Sequence, residues 1–215
     1  MKNNFNKLNT ITMKKLLLLF IPLMFFFGCE EDNANGNLSI GDFHEGGVIF
    51  YLDGNGGGLV CDIKDLSNPF PANTTYIDPV PWGCQGIALN GANEMSIGAG
   101  NQNTNDILVE CTQSLNNTTG PAWGGIAAEV CSNSDAQGYT DWFLPSINEL
   151  KEIHNNLTVI NSTALSNGGD EFEIYGYWSS TQNNNNTAFQ VIFPLGNSPF
   201  VFKESLGRLR ATRSF

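Results

Sequence analysis

From residue 46 onward, apolar positions alternate with polar or turn-forming ones in short runs. "GGVIFYLD" (46–53) and "GGLVCDIKDL" (57–66) flank "GNGG", which predicts an antiparallel hairpin. In the second arm Leu59, Cys61 and Ile63 alternate with Val60, Asp62 and Lys64. Residues 65–100 are turn-rich and carry no clear period. The period then changes. Ile107, Leu108, Cys111 and Leu115 share one helical face, with Thr104 as the expected N-cap. In "GGIAAEVC" a second helical piece turns Ile126, Ala127, Val130 and Cys131 inward. A third helix is announced by "PSINEL": Ser146 and Glu149 have capping-box spacing, and Ile147, Leu150, Ile153 and Leu157 form an apolar stripe.

The last third returns to period two. "YWSST" (177–181), "TAFQVIF" (187–193) and "SPFVFKES" (198–205) are short strands separated by Asn and Gly turns, and "GRLRATRSF" is expected to close the chain as a last strand. A hairpin, two helical regions and a C-terminal antiparallel sheet make an α+β domain.

The N-terminus is read separately. Lys14 and Lys15 precede an apolar run, Leu16 to Phe27, that Pro22 interrupts, and Gly28-Cys29 follows. That run is about half the roughly 20 residues a membrane-spanning helix needs, so it reads as a signal peptide. Met13 is an alternative start. The small residue before Cys29 resembles a bacterial lipobox, which makes Cys29 the expected lipid attachment site and the membrane a partner through the lipid anchor. Residues 1–28 are thus the signal, 29–38 a flexible tether and 39–215 the domain. Glu30, Glu31 and Asp32 resemble a surface-export signal, or are simply a solvated linker. An outer-membrane lipoprotein follows, facing either the cell surface or the periplasm.

Charge narrows the partners. The whole chain has net charge −11; four of its ten basic residues fall in the signal, so six remain against 21 acidic ones, a formal −15. Such a domain repels phosphate backbones, which excludes nucleic acid. Cys61, Cys84, Cys111 and Cys131 are an even set in an exported domain, with three possible connectivities; Cys84–Cys111 with Cys61–Cys131 is the expected one.

Candidate chemistry is thin. "DGNGGG" (53–58) lacks a calcium-loop carboxylate, since its twelfth position is Lys64, and it misses G-x-G-x-x-G at Leu59. His44 and His154 make no metal pair, there is no G-x-S-x-G, and oxidised cysteines offer no thiolate. No catalytic residue, metal or cofactor is expected, and the chain reads as a non-enzyme, with an enzyme whose site is unrecognised as the last alternative. Asp170, Glu171 and Glu173 are expected in a solvated loop, with a hard cation such as calcium as the alternative for their clustered carboxylates. Trp142, Tyr175, Tyr177 and Trp178, flanked by amides and carboxylates, are candidate sugar-stacking aromatics, with a packed core as the alternative. Arg208, Arg210 and Arg213 hold half of the mature basic charge. On one strand, Arg210 and Arg213 should face opposite ways, one exposed and one buried against Asp141 or Glu149.

Together "GGVIFYLD…GLV", "WGCQG", "IGAGNQNTNDIL…C", "GIAAEVC", "GYTDWFLPSINEL", "YWSST" and "RATRSF" resemble the Lcl C-terminal domain family, named from a collagen-like bacterial adhesin. The resemblance runs from about Gly46 to Phe215. It implies a C-type-lectin-like fold related to that of formylglycine-generating enzymes, and a role in adhesion or glycan recognition. The adhesin's domain is associated with sulfated glycans. A −15 domain suits a neutral glycan or an envelope protein better. The Glu-Pro-Asn, Gln-Pro-Asp and Trp-Asn-Asp signatures of calcium-dependent lectins are absent, and no copper-binding cysteine pair follows Cys131.

Overall fold

The computed structural model describes residues 37–66, 79–115 and 125–215. The signal, Cys29 and its acidic neighbours lie outside these residues. The described chain belongs to one compact unit, Asn37–Phe215. It is a mixed α+β domain with antiparallel sheets.

β1 (Phe43–His44), β2 (Gly47–Leu52) and β3 (Gly58–Asp62) form a meander at the start of the domain. The β2–β3 turn is a hairpin turn, as the sequence predicts. Asp53 Oδ1 accepts the Asn55 and Gly57 N–H groups at 2.7 and 3.1 Å, and Gly54 and Gly56 take the left-handed conformations the turn demands (φ 79° and 99°). β4 (Val80–Pro81) follows, then helices α1 (Gly100–Leu115), α2 (Ala127–Ser132), α3 (Ile147–Asn155) and α4 (Leu157–Ser166). The chain ends in β5 (Gly176–Gln182), β6 (Thr187–Ile192), β7 (Phe200–Phe202), β8 (Leu206–Gly207) and β9 (Thr212–Ser214).

Three sheets result, ordered β1-β2-β3-β9, β4-β8 and β5-β6-β7. The expected last strand is therefore two short ones. β8 pairs with β4, residues 208–211 leave regular structure, and β9 crosses to β3. The N-terminal hairpin and the C-terminus thus share one sheet.

That sheet is covered on both sides. Ile49 and Val60 point into a core with Trp82, Ile107, Cys111, Cys131, Trp142 and Trp178. Val48, Phe50, Leu59 and Cys61 point into another, closed by Ile147, Leu150 and Ile153 of α3 and Ile160 and Ala164 of α4. This corrects one expected disulfide. Cys84 and Cys111 are bonded, with Cα atoms 5.7 Å apart, but Cys61 and Cys131 are free and buried. The reason is strand alternation: Cys61 faces one core and Cys131 sits in the other, with β3 between them. Burial pushes the Cys61 thiol up to about 12 and raises that of Cys131, so both are inert.

The capping box forms. Ser146 Oγ accepts the Glu149 N–H at 3.2 Å, and Glu149 Oε2 accepts the Ser146 N–H at 2.7 Å. Glu149 also accepts the Gly98 and Gly100 N–H groups at 2.8 and 3.2 Å, so one carboxylate caps α3 and holds the first turn of α1. Burial raises its pKa against those donors. α1 accordingly starts a turn before the expected cap. Thr104 lies inside it, donating to Gly100 O at 2.8 Å and accepting from Leu144 N–H at 3.0 Å.

Candidate binding groove

The aromatics expected to meet a sugar are core residues. Trp142 is 2% exposed, and Tyr177 and Trp178 are fully buried. The indole N–H of Trp142 donates to Ala136 O at 3.0 Å and that of Trp178 to Val80 O at 2.8 Å. Each ring is consumed internally, so none can stack on a ligand. Tyr175 alone of the four is exposed, at 41%.

Tyr177 instead belongs to a buried polar cluster whose members lie more than a hundred residues apart in the chain. Its hydroxyl donates to Asp65 Oδ2 at 2.6 Å and accepts the Glu173 N–H at 2.8 Å. Arg210 Nε donates to Asp65 Oδ1 at 2.7 Å. The rest of its fork reaches the carbonyls of Asp62, Asp170 and Glu171 at 3.1 to 3.3 Å, and its guanidinium carbon lies 4.2 Å from the Phe172 ring centre. Burial is the largest influence and opposes the Arg210 charge, but the surrounding groups, Asp65 first among them, together outweigh it and the guanidinium pKa is raised. Burial and the same Asp65 raise that of Tyr177.

Beside this cluster lies a groove of about 730 Å³ lined by Asp65, Leu165, Asp170, Glu171, Phe172, Glu173 and Ile174. The backbone of 170–171 is pinned by Arg210 while the side chains of Glu171, Glu173 and Ile174 project outward, Ile174 at 81% exposure. Arg208 stands at the rim. It reaches Asp65 only at 3.4 Å, lies 5.6 Å from the Tyr175 ring, and its buried Nε has no hydrogen-bond partner.

Arg213 anchors a separate cluster. It grips Asp141 with two bonds of 2.7 and 3.0 Å, bonds Glu45 through its carbonyl and carboxylate at 3.0 and 3.1 Å, and lies 4.0 Å from the centre of the Tyr139 ring. The expectation that one of Arg210 and Arg213 would be exposed is corrected: they are 1% and 6% exposed. Because 208–211 is not a strand, alternation does not separate them. Of the expected partners Asp141 pairs with Arg213, whereas Glu149 pairs with no arginine and is spent on backbone N–H groups.

Among the described residues no group of three or more His, Cys, Asp or Glu could hold a metal ion, and no helix is long and apolar enough to cross a membrane.

Residues 99–213, more than half of the sequence, match the family model described as the Lcl C-terminal domain. The chain belongs to the Lcl C-terminal domain family. The matched Lcl C-terminal segment takes in Arg208, Arg210 and the acidic loop, while Asp65 and the N-terminal hairpin lie before it. Among curated proteins none matches this sequence. The structure is also similar to the crystal structure of a fimbrial protein from Bacteroides ovatus, at 16% identity with a TM-score of 0.50. That match covers 72% of this chain and 35% of the fimbrial protein, and the likeness is one of fold.

Proposed function

We infer that this protein is an outer-membrane lipoprotein, acylated at Cys29, whose Lcl C-terminal domain has a C-type-lectin-like fold and binds a partner without transforming it. The construction of the groove carries the reading. Arg210, Asp65 and Tyr177 spend their donors and acceptors on one another and on the backbone, which makes a rigid floor and leaves few groups to lend to a reaction. What the groove presents outward is Leu165 and Ile174 among carboxylates, with the exposed Tyr175 next in sequence, a surface for recognition. The lectin-like assignment is supported by the pairing of β3 with β9, which joins the ends of the domain, and by the resemblance in sequence.

An envelope protein is the favoured partner, because two exposed apolar side chains, Leu165 and Ile174, stand among the groove's carboxylates. A neutral glycan remains the second reading; it rests on the Tyr175 ring, exposed beside Glu173.

The test uses the full chain in cells. Crosslinking should capture an envelope protein, and Ile174→Asp with Tyr175→Ala should abolish capture without lowering the melting temperature. Empty crosslinking together with an empty glycan array overturns the binding reading. For the anchor, a palmitate analogue should label the protein and Cys29→Ala should remove the label; protease shaving of intact cells reports which way the domain faces.

A further inference from the structure

The chain between α4 and β5 is tied down through its backbone and leaves its acidic side chains free. Ile63 O accepts the Asp170 N–H at 2.8 Å, Asn161 Oδ1 the Phe172 N–H at 3.1 Å, and the Tyr177 hydroxyl the Glu173 N–H at 2.8 Å. Arg210 holds the carbonyls of Asp170 and Glu171. Burial alternates along this stretch: Glu171 and Glu173 are exposed, and Phe172 between them is buried. The two carboxylates therefore leave the same side of the loop, from Cα atoms at most about 7 Å apart.

Four of the seven residues lining the groove are carboxylates, and among the described residues only Asp65 of these is in an ion pair. Arg210 and Arg208 both serve Asp65, so Asp170, Glu171 and Glu173 carry charge that no neighbouring cation offsets. These carboxylates do not converge on a point. Among the described residues no three His, Cys, Asp or Glu come together as a cation such as calcium requires. Carboxylates set apart on a fixed backbone suit separate cations. Between them stand two solvated apolar side chains, Ile174 at 81% exposure and Leu165 at 51%.

We infer that the occupant of the groove is a basic segment of an envelope protein. Lys or Arg at alternate positions of an extended segment faces Glu171 and Glu173, and an apolar side chain on the same face covers Ile174 and Leu165. The inference rests on the reading of the groove as a binding site and adds the chemistry of the partner. Complementary charge selects it: the uncompensated carboxylates attract a basic surface and repel an acidic one, a second copy of this domain included. Lys and Arg also lay apolar stems along a surface while their heads reach carboxylates, so one segment meets both parts of the groove. Because the loop backbone is already fixed, binding need order only side chains, which lowers its entropic cost.

A photoreactive benzoyl-phenylalanine at Leu165 of the full chain, in cells, tests it. The probe should capture an envelope protein, and mass spectrometry should map the adduct to a segment with Lys or Arg at alternate positions. Glu171→Gln with Glu173→Gln should cut the adduct at least roughly fivefold. Glu129→Gln with Glu204→Gln changes the net charge equally, on exposed residues outside the groove, and should leave the yield unchanged. Both double variants should keep the wild-type melting temperature. Equal yields in the two double variants, or an adduct mapped to an acidic or uncharged segment, overturns the basic-segment assignment and leaves the binding reading standing. No captured protein at all overturns both.

Discussion

Arg210 and Arg213 lie three residues apart, and each holds an aspartate at 2.7 Å through Nε. The bonds are equal in length and the surroundings are not. The Arg210 side chain is fully buried and Asp65 is 2% exposed; those of Arg213 and Asp141 are 8% and 54% exposed. A charge held in water loses little when its partner leaves, whereas a charge already stripped of water loses its only compensation. Distance therefore does not rank these pairs. Burial does, and it assigns them different work: Arg210 fixes the groove loop from beneath, and Arg213 ties the C-terminal strand to the β1–β2 turn at the surface.

The largest effect is expected at the buried pair. Arg210→Ala leaves Asp65 with the Tyr177 hydroxyl and a distant Arg208, and strips a donor from the carbonyls of Asp62, Asp170 and Glu171. Urea unfolding should show a loss of about 3–5 kcal/mol. Arg210→Lys should recover only part of it, because an ammonium cannot reach the same spread of acceptors as the planar fork. A loss as small as that of an exposed pair would erase the distinction between the two arginines.

Lys203 sharpens the comparison as a buried cation with no carboxylate partner among the described residues. Its ammonium donates to Ile87 O at 2.9 Å and Gln182 Oε1 at 3.1 Å and sits 4.5 Å from the Trp82 ring centre. Burial lowers its pKa from 10.5 to about 8. Between those values the unfolded chain holds a proton that the folded one has released, so stability contributed by this group rises with pH across the window. It is fully present above the unfolded value and lost as pH falls through about 8. Tyr177 and the free thiols, whose pKa values are raised, pull the other way at high pH. The measurement is therefore the difference in melting temperature between the wild type and Lys203→Met. That difference should move in favour of the wild type from pH 8 to 10, and a flat difference would contradict the assignment.

Local signals in the sequence carried through to the structure where their cause is local. The Ser146–Glu149 capping box, the Asp53 turn and the β2–β3 hairpin depend on neighbours within a few residues. What escaped depends on distant ones. Asp65 meets Tyr177 and Arg210 across more than a hundred residues, and nothing in "KDLS" announces it. α4 was hidden because Thr158, Val159, Ile160 and Thr163 are β-branched and weak helix formers, overridden here by packing of Ile160 and Ala164. The even cysteine count suggested a second bridge because counting ignores which side of β3 each thiol faces. Trp142 and Trp178 were ambiguous for a related reason: an indole beside amides looks the same in sequence whether its N–H meets a ligand or a carbonyl of its own chain.

The smallest effect belongs to the pair whose carboxylate is exposed, and its conditions make it diagnostic. Asp141→Asn should cost about 1 kcal/mol or less at low salt, and the cost should shrink as ionic strength rises, because the half-exposed Asp141 carboxylate is screened within roughly 10 Å at 0.1 M. The hydrogen bond from Arg213 holds the Asp141 carboxyl below its ordinary range. The pair's contribution is then complete above the ordinary carboxylate pKa of about 4 and lost as pH falls through the lower folded value. A double-mutant cycle of Arg213→Ala with Asp141→Asn, repeated at low and high salt, should return a coupling that salt weakens, where the same cycle on Arg210 and Asp65 stays nearly constant. Equal salt dependence in both cycles would mean that water reaches Asp65 as freely as Asp141, and the groove floor would then be too wet to hold its loop in place.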